Sequence, residues 1–112
     1  MKTSNDISLE QAASAFAALG SEQRLSVLQT LVRAGDDGLA MGDLGARSGV
    51  TGSTLTHHLK ILVAAGLVVQ IKKGRSIICA AVSYDMADAL SQFLLKNCCA
   101  DSQHPHKGHG HG

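Results

Sequence analysis

Two adjacent cysteines, Cys98 and Cys99, are the residues of this 112-residue chain whose type and spacing could most directly do chemistry. Sequence neighbours close a disulfide only through a strained eight-membered ring, but their two thiolates can both reach one large soft ion such as trivalent arsenic or antimony. Inorganic arsenite prefers three sulfurs, so the third position falls to another thiol, an organic substituent or a solvent oxygen. The one further cysteine, Cys79, alternates with Ile77 and Ala81 and reads as a buried strand residue more readily than as a third ligand. A plainer account makes Cys98 and Cys99 packing residues beneath a partner chain. Pairing of Cys79 with either would instead make a redox or persulfide sensor. Further on, His104, His106, His109 and His111 supply imidazoles dense enough to bind zinc, nickel, cobalt or copper, although such tails often bind metal weakly without regulating anything.

A second chemistry is recognition of a polyanion. Residues 1–43 carry a balance of −3, whereas residues 44–84 hold Arg47, Lys60, Lys72, Lys73 and Arg75 with no acid, a balance of +5 inside a chain of net charge +1. Phosphate neutralisation supplies much of nucleic-acid affinity, so this segment is an electrostatic footprint, the alternative being a solvated face. Within it, Thr51, Gly52, Ser53 and Thr54 are the small polar residues that let a helix start approach phosphates and base edges, with Thr51 as N-cap. Thr56, His57 and Lys60 follow on turns that can face a groove, opposite a stripe of Leu55, Leu59 and Leu62. His58 falls between the faces and reads equally as a packing or capping histidine. Lys72, Lys73 and Arg75 cluster at a hairpin tip, suited to phosphates or a minor groove, or simply to solubility. No carboxylate pair, nucleophile with a base, or phosphate loop stands out, so an enzyme is not expected.

The elements that must position these residues are legible in the pattern. Ser8 and Gln11 have the form of a capping box with Ile7 as hydrophobic staple, predicting a helix from Leu9 to Leu19 whose face carries Ala12, Phe16 and Leu19. Ser21 begins a second helix, which packs Leu25, Leu28, Leu31 and Val32 inward and ends at Gly35. A short helix from Met41 to Arg47, a turn through Gly49 and a longer helix from Gly52 to Ala65 make a helix-turn-helix, with Met41, Leu44 and Val50 meeting the leucine stripe. Leu67 to Lys72 and Ser76 to Val82 form a hairpin. A last helix from Tyr84 to about Asn97 carries Met86, Ala87, Leu90, Phe93 and Leu94, more apolar surface than docking on so small a body needs. The fold expected is mainly α with a small β-hairpin, a winged helix-turn-helix in the order α-α-α-α-β-β-α. One domain spans 1–99, and 100–112 is a flexible His-rich tail. Hydrophobic residues at 45% with aromatics at only 3% demand an aliphatic core. No apolar run reaches a membrane span and the first residues lack a signal-peptide layout, so a cytoplasmic protein with reduced thiols is expected.

Three stretches together resemble the ArsR/SmtB family of arsenic-repressor-like metalloregulators. They are Leu19-Gly20-Ser21-Glu22-Gln23-Arg24-Leu25 with Val27-Leu28, the run Ser53 to Leu62 with Ala65-Gly66-Leu67-Val68, and the wing Lys73-Gly74-Arg75. The resemblance covers roughly residues 9 to 96. It implies a homodimer, joined through the first and last helices, that binds a pseudo-palindromic double-stranded DNA operator and leaves it when an inducer binds. The family's best-known arsenic site lies where this chain has Leu39 to Leu44, without a thiol. Its zinc-type site on the last helix would here have Asp85 and Asp88 with no nearby histidine before residue 104. Cys98 and Cys99 are left as the inducer ligands, with trivalent arsenic or antimony as the expected inducer. From another class comes a winged-helix module that binds an acidic protein.

Overall fold

The computed structural model describes residues 6–82 and 85–103. Among them run α1 (Leu9–Leu19), α2 (Glu22–Ala34), β1 (Leu39–Ala40), α3 (Met41–Ser48), α4 (Gly52–Ala64), β2 (Val68–Lys73), β3 (Ser76–Ala81) and α5 (Asp85–Leu95). The winged helix-turn-helix is therefore present. The capping box at α1 is complete: the Gln11 amide donates to Ser8 Oγ at 2.9 Å and the Ser8 amide to Gln11 Oε1 at 2.8 Å. Ser21 caps α2 by accepting from the Arg24 amide at 3.3 Å. No helix among the described residues is long and apolar enough to cross a membrane.

The helices bury faces that differ in part from the sequence expectation. On α1 the buried residues are Ala12, Ala15 and Ala18, an alanine stripe that brings the helix close to its neighbours, while Phe16 stays partly exposed. On α2 Val27 and Leu31 are buried, one turn apart, whereas Leu25 and Val32 are exposed. Both helices carry apolar residues around more than one face, so periodicity alone did not select the inward one. The core joins these stripes to Leu44 of α3, Leu55, Leu59 and Leu62 of α4, Val68 and Cys79 of the sheet, and Leu90 of α5. Each fully buried leucine adds about 1.5–3 kcal/mol relative to exposure.

The expected hairpin is present, with β2 and β3 antiparallel from Val68↔Ala81 to Lys73↔Ser76. A third strand, β1, was not expected. It adds to the other edge of β3 through Leu39↔Cys79 and Ala40↔Ile78. Two residues are too few to show alternation, so only the long-range pairing reveals it. Gly38 makes the approach possible: its φ is +67°, and a Cβ there would collide with the Cys79 carbonyl oxygen. The expected start of the last helix at Tyr84 lies outside the described residues.

Candidate nucleic-acid interface and thiol pair

The turn between α3 and α4 is set by small residues. Gly49 ends α3 in the left-handed conformation, with its amide donating to the Gly45 carbonyl. Gly45 is buried, and a Cβ there would stand 3.2 Å from Thr51 Cγ2, so the absent side chain lets the helices cross closely. Ser26 Oγ of α2 donates to the Ser48 carbonyl at 3.2 Å, and the Val50 amide donates to Ser48 Oγ at 3.2 Å, pinning the turn to the body. Thr51 occupies the N-cap position, but its side chain makes no capping hydrogen bond, a departure from the sequence expectation. The first turn of α4 is thus left without a side-chain cap, which is the condition in which helix amides can serve an external anion.

Thr51, Gly52, Ser53, Thr54, Thr56, His57 and Lys60 are all exposed, while Leu55, Leu59 and Leu62 are buried. Lys72, Lys73 and Arg75 are exposed around a two-residue turn whose first position, Gly74, has φ +59°.

His58 belongs with the core, being 8% exposed. Its Nδ1 lies 3.1 Å from Arg24 Nη1 and its Nε2 lies 2.8 Å from Gln23 Oε1. A guanidinium only donates, so Nδ1 accepts and the ring proton sits on Nε2. Burial, then the Arg24 charge, then His57, hold the His58 pKa below the ordinary imidazole value.

The thiol pair lies just past α5. Cys98 Sγ and Cys99 Sγ are 2.9 Å apart and both residues are exposed. Left-handed backbone at Asn97 (φ 60°) and Cys99 (φ 65°) brackets Cys98, which is how sequence neighbours can turn both sulfurs together. The hydrogen bond with Cys98 is the main cause of a raised Cys99 pKa, followed by burial and the Cys98 charge. Cys79 stands elsewhere, 0% exposed in β3, receiving a hydrogen bond from Gln70 Nε2 and donating one to Met41 Sδ, each at 3.6 Å. Burial pushes its thiol pKa up. Among the described residues no three His, Cys, Asp or Glu side chains group as a metal site, so Cys79 does not join Cys98 and Cys99 within one chain. His104, His106, His109 and His111 lie outside the described residues.

A helix-turn-helix domain model matches residues 19–71, from the end of α1 into β2. The transcriptional regulator NmtR of Mycobacterium tuberculosis is 36% identical over 98 residues, which cover 88% of this chain and 75% of the relative. An ArsR-like transcriptional regulator from Rhodococcus sp. RHA1 superposes with a TM-score of 0.66 at 30% identity, over 82% of each chain. The chain belongs to the ArsR/SmtB family. It is a DNA-binding transcriptional regulator and not an enzyme. The homodimeric winged helix-turn-helix DNA-binding domain Mb0332 of Mycobacterium bovis, at 23% identity, shares the fold with a TM-score of 0.64 over 88% of this chain and 90% of its own.

Two features of this ArsR-family chain were not legible in the sequence. One is the pairing of His58 with Arg24 and Gln23, across 34 and 35 residues. The other is how α1 and α2 join the surplus apolar surface expected on the last helix, forming a groove of about 380 Å³ lined by Phe16, Leu28, Val32, Met86, Leu90 and Leu94 among others. Its rim explains the misassigned faces: Phe16 and Val32, expected inside, line this groove instead. Leu94 and Leu95 remain 68% and 63% exposed.

Proposed function

We propose that this ArsR-family regulator is a homodimeric repressor of a pseudo-palindromic operator, released by trivalent arsenic or antimony, inorganic or organic, captured at Cys98 and Cys99. In this reading α4 enters the major groove, with Thr51, Gly52, Ser53 and Thr54 at its phosphate-facing start and Thr56, His57 and Lys60 on base edges and backbone. The wing residues Lys72, Lys73 and Arg75 reach flanking phosphates or the minor groove. Exposure of all these residues, within a segment that has no acid, supports that assignment. A second copy covers the apolar groove and the exposed end of α5, setting the spacing of the two recognition helices. Such a regulator works in the cytoplasm, where thiols stay reduced.

The observation that carries the inducer reading is the 2.9 Å separation of two exposed sulfurs. The pair fits a soft thiophilic ion that accepts two sulfurs, a third position going to a hydroxyl or an organic group. In capture of an organic arsenical, two As–O bonds are replaced by two As–S bonds, each thiol proton leaves with a hydroxide as water, and arsenic stays trivalent. Arsenite follows the same course and keeps one hydroxyl. No proton is released while the thiols are protonated, and the raised Cys99 pKa extends that condition upward in pH. A divalent metal must instead displace two protons, so its capture strengthens steeply with pH.

An operator fragment titrated with arsenite or phenylarsine oxide, followed by fluorescence anisotropy, tests this. Release is expected with a coupling of about 1–3 kcal/mol, or roughly 5–150-fold in affinity, nearly flat in pH near neutrality. Cys98→Ser and Cys99→Ser should each keep operator binding and lose release. Retention of the operator with both arsenicals, or normal release from the double serine variant, refutes the inducer. Release by zinc, nickel, cobalt or copper would replace it with a divalent metal: a steep pH dependence near neutrality would place that metal on the thiols, and a shallow one on the tail histidines, since imidazole binds metal in its neutral form.

A further inference from the structure

His58 is the one polar residue among the described residues that is buried, and it sits in the middle of the helix proposed to read DNA. A buried polar side chain is tolerated when every donor and acceptor is met, and here both ring nitrogens are. The chain of bonds runs across three helices. Arg24 Nε donates to the Ala18 carbonyl at the end of α1 at 2.6 Å, Arg24 Nη1 donates to His58 Nδ1 at 3.1 Å, and His58 Nε2 donates to Gln23 Oε1 at 2.8 Å. Leu55, Leu59 and Leu62 hold α4 against the core, but apolar burial is non-directional and specifies the rotation of a helix less sharply than a directional bond does. A doubly hydrogen-bonded imidazole is directional and opposes that roll.

We infer that Arg24 and His58 are positioning residues for operator binding: their hydrogen-bond chain fixes the rotation of α4 about its axis, and with it the aim of Thr54, Thr56 and His57. The inference rests on the assignment of those residues as DNA contacts. It also gives α1, a helix of the proposed dimer interface, a direct polar connection to the recognition helix through the Ala18 carbonyl.

The charge state of His58 decides whether the chain can exist. Protonation at Nδ1 removes the acceptor that His58 offers to Arg24 Nη1 and sets two cations face to face. The charged or titratable groups acting on the ring are Arg24 from α2 and His57 from α4 itself, while α1 contributes only the uncharged Ala18 carbonyl. Acid should therefore loosen α4 while leaving the leucine core in place. A variant that cannot titrate at position 58 separates this effect from every other acid-dependent change of the complex.

The test measures operator affinity and thermal stability of the full-length protein between about pH 7.5 and about pH 5. His58→Leu should fold yet bind the operator about tenfold or more weakly, a loss of the size that one misaimed recognition element produces. His58→Asn, whose Oδ1 can still accept from Arg24 but does not titrate, should recover much of that affinity and abolish the acid-dependent loss. The ratio of wild-type to His58→Asn affinity should fall as the pH is lowered, a comparison in which acid effects common to both proteins cancel. Arg24→Met combined with His58→Leu should cost little more than either alone. If His58→Leu lowers stability only, or if the wild-type and His58→Asn profiles run parallel, the inference is overturned. Should His58→Leu not fold, the pH ratio decides by itself. Thr54→Ala and Lys60→Ala separate the underlying assumption: if neither weakens operator binding the contact assignment fails, whereas weakening by these alone refutes only the positioning role.

Discussion

Two residues of similar sequence context, His57 and His58, have opposite fates. His57 is exposed, as its place on the groove-facing turns implied, and His58, which fell between the faces, is buried with both nitrogens bonded. The consequence for stability has a definite sign. The folded pKa of His58 is lowered, so the unfolded chain binds more protons between that value and the ordinary 6.5. The stability that neutral His58 contributes is full above the unfolded pKa and is lost as the pH falls through the folded one. Urea denaturation at stepped pH should show wild-type stability declining below about pH 6.5 more steeply than that of His58→Asn. For Cys79 the strand pattern favoured a buried thiol and the structure buries it completely, although Ile77, on the same alternation, is exposed and Ala80 is buried.

At the scale of elements, caps and turns were legible because their chemistry is local. Ser8 with Gln11, Ser21 before α2 and Gly49 after α3 each act within four residues of themselves. Inward faces were less legible, since α1 and α2 carry apolar residues on two sides and only the partner elements choose between them. The glycines separate the same two causes. Gly49 has φ +79° with open space where a Cβ would go, so Gly49→Ala should cost about 1–2 kcal/mol for the left-handed backbone alone. Gly38 has φ +67° and also faces the Cys79 backbone, so Gly38→Ala should cost more than about 3 kcal/mol and unpair β1 from β3. Urea midpoints of the two variants give the comparison, and amide exchange at Leu39 and Ala40 shows whether the edge strand has opened.

For the whole molecule, the groove between α1, α2 and α5 is the largest consequence of the fold. An apolar surface of this kind, continuing onto Leu94, is what the proposed second copy would bury. Leu94→Glu is expected to shift sedimentation from dimer to monomer and to weaken operator binding by more than about tenfold, because each half-site then binds alone. Retention of a dimer would place the interface elsewhere. The sequence by itself determined the order of the five helices and the hairpin and the basic segment, because these depend on period, capping and composition along the chain, while the family was legible only through the resemblance of three stretches. Only the tertiary structure decided which helix faces turn inward, that β1 completes the sheet, that Cys79 stays apart from the vicinal pair, and that His58 ties α4 to Arg24 and Gln23. Those outcomes depend on distances between residues tens of positions apart, which local patterns do not carry.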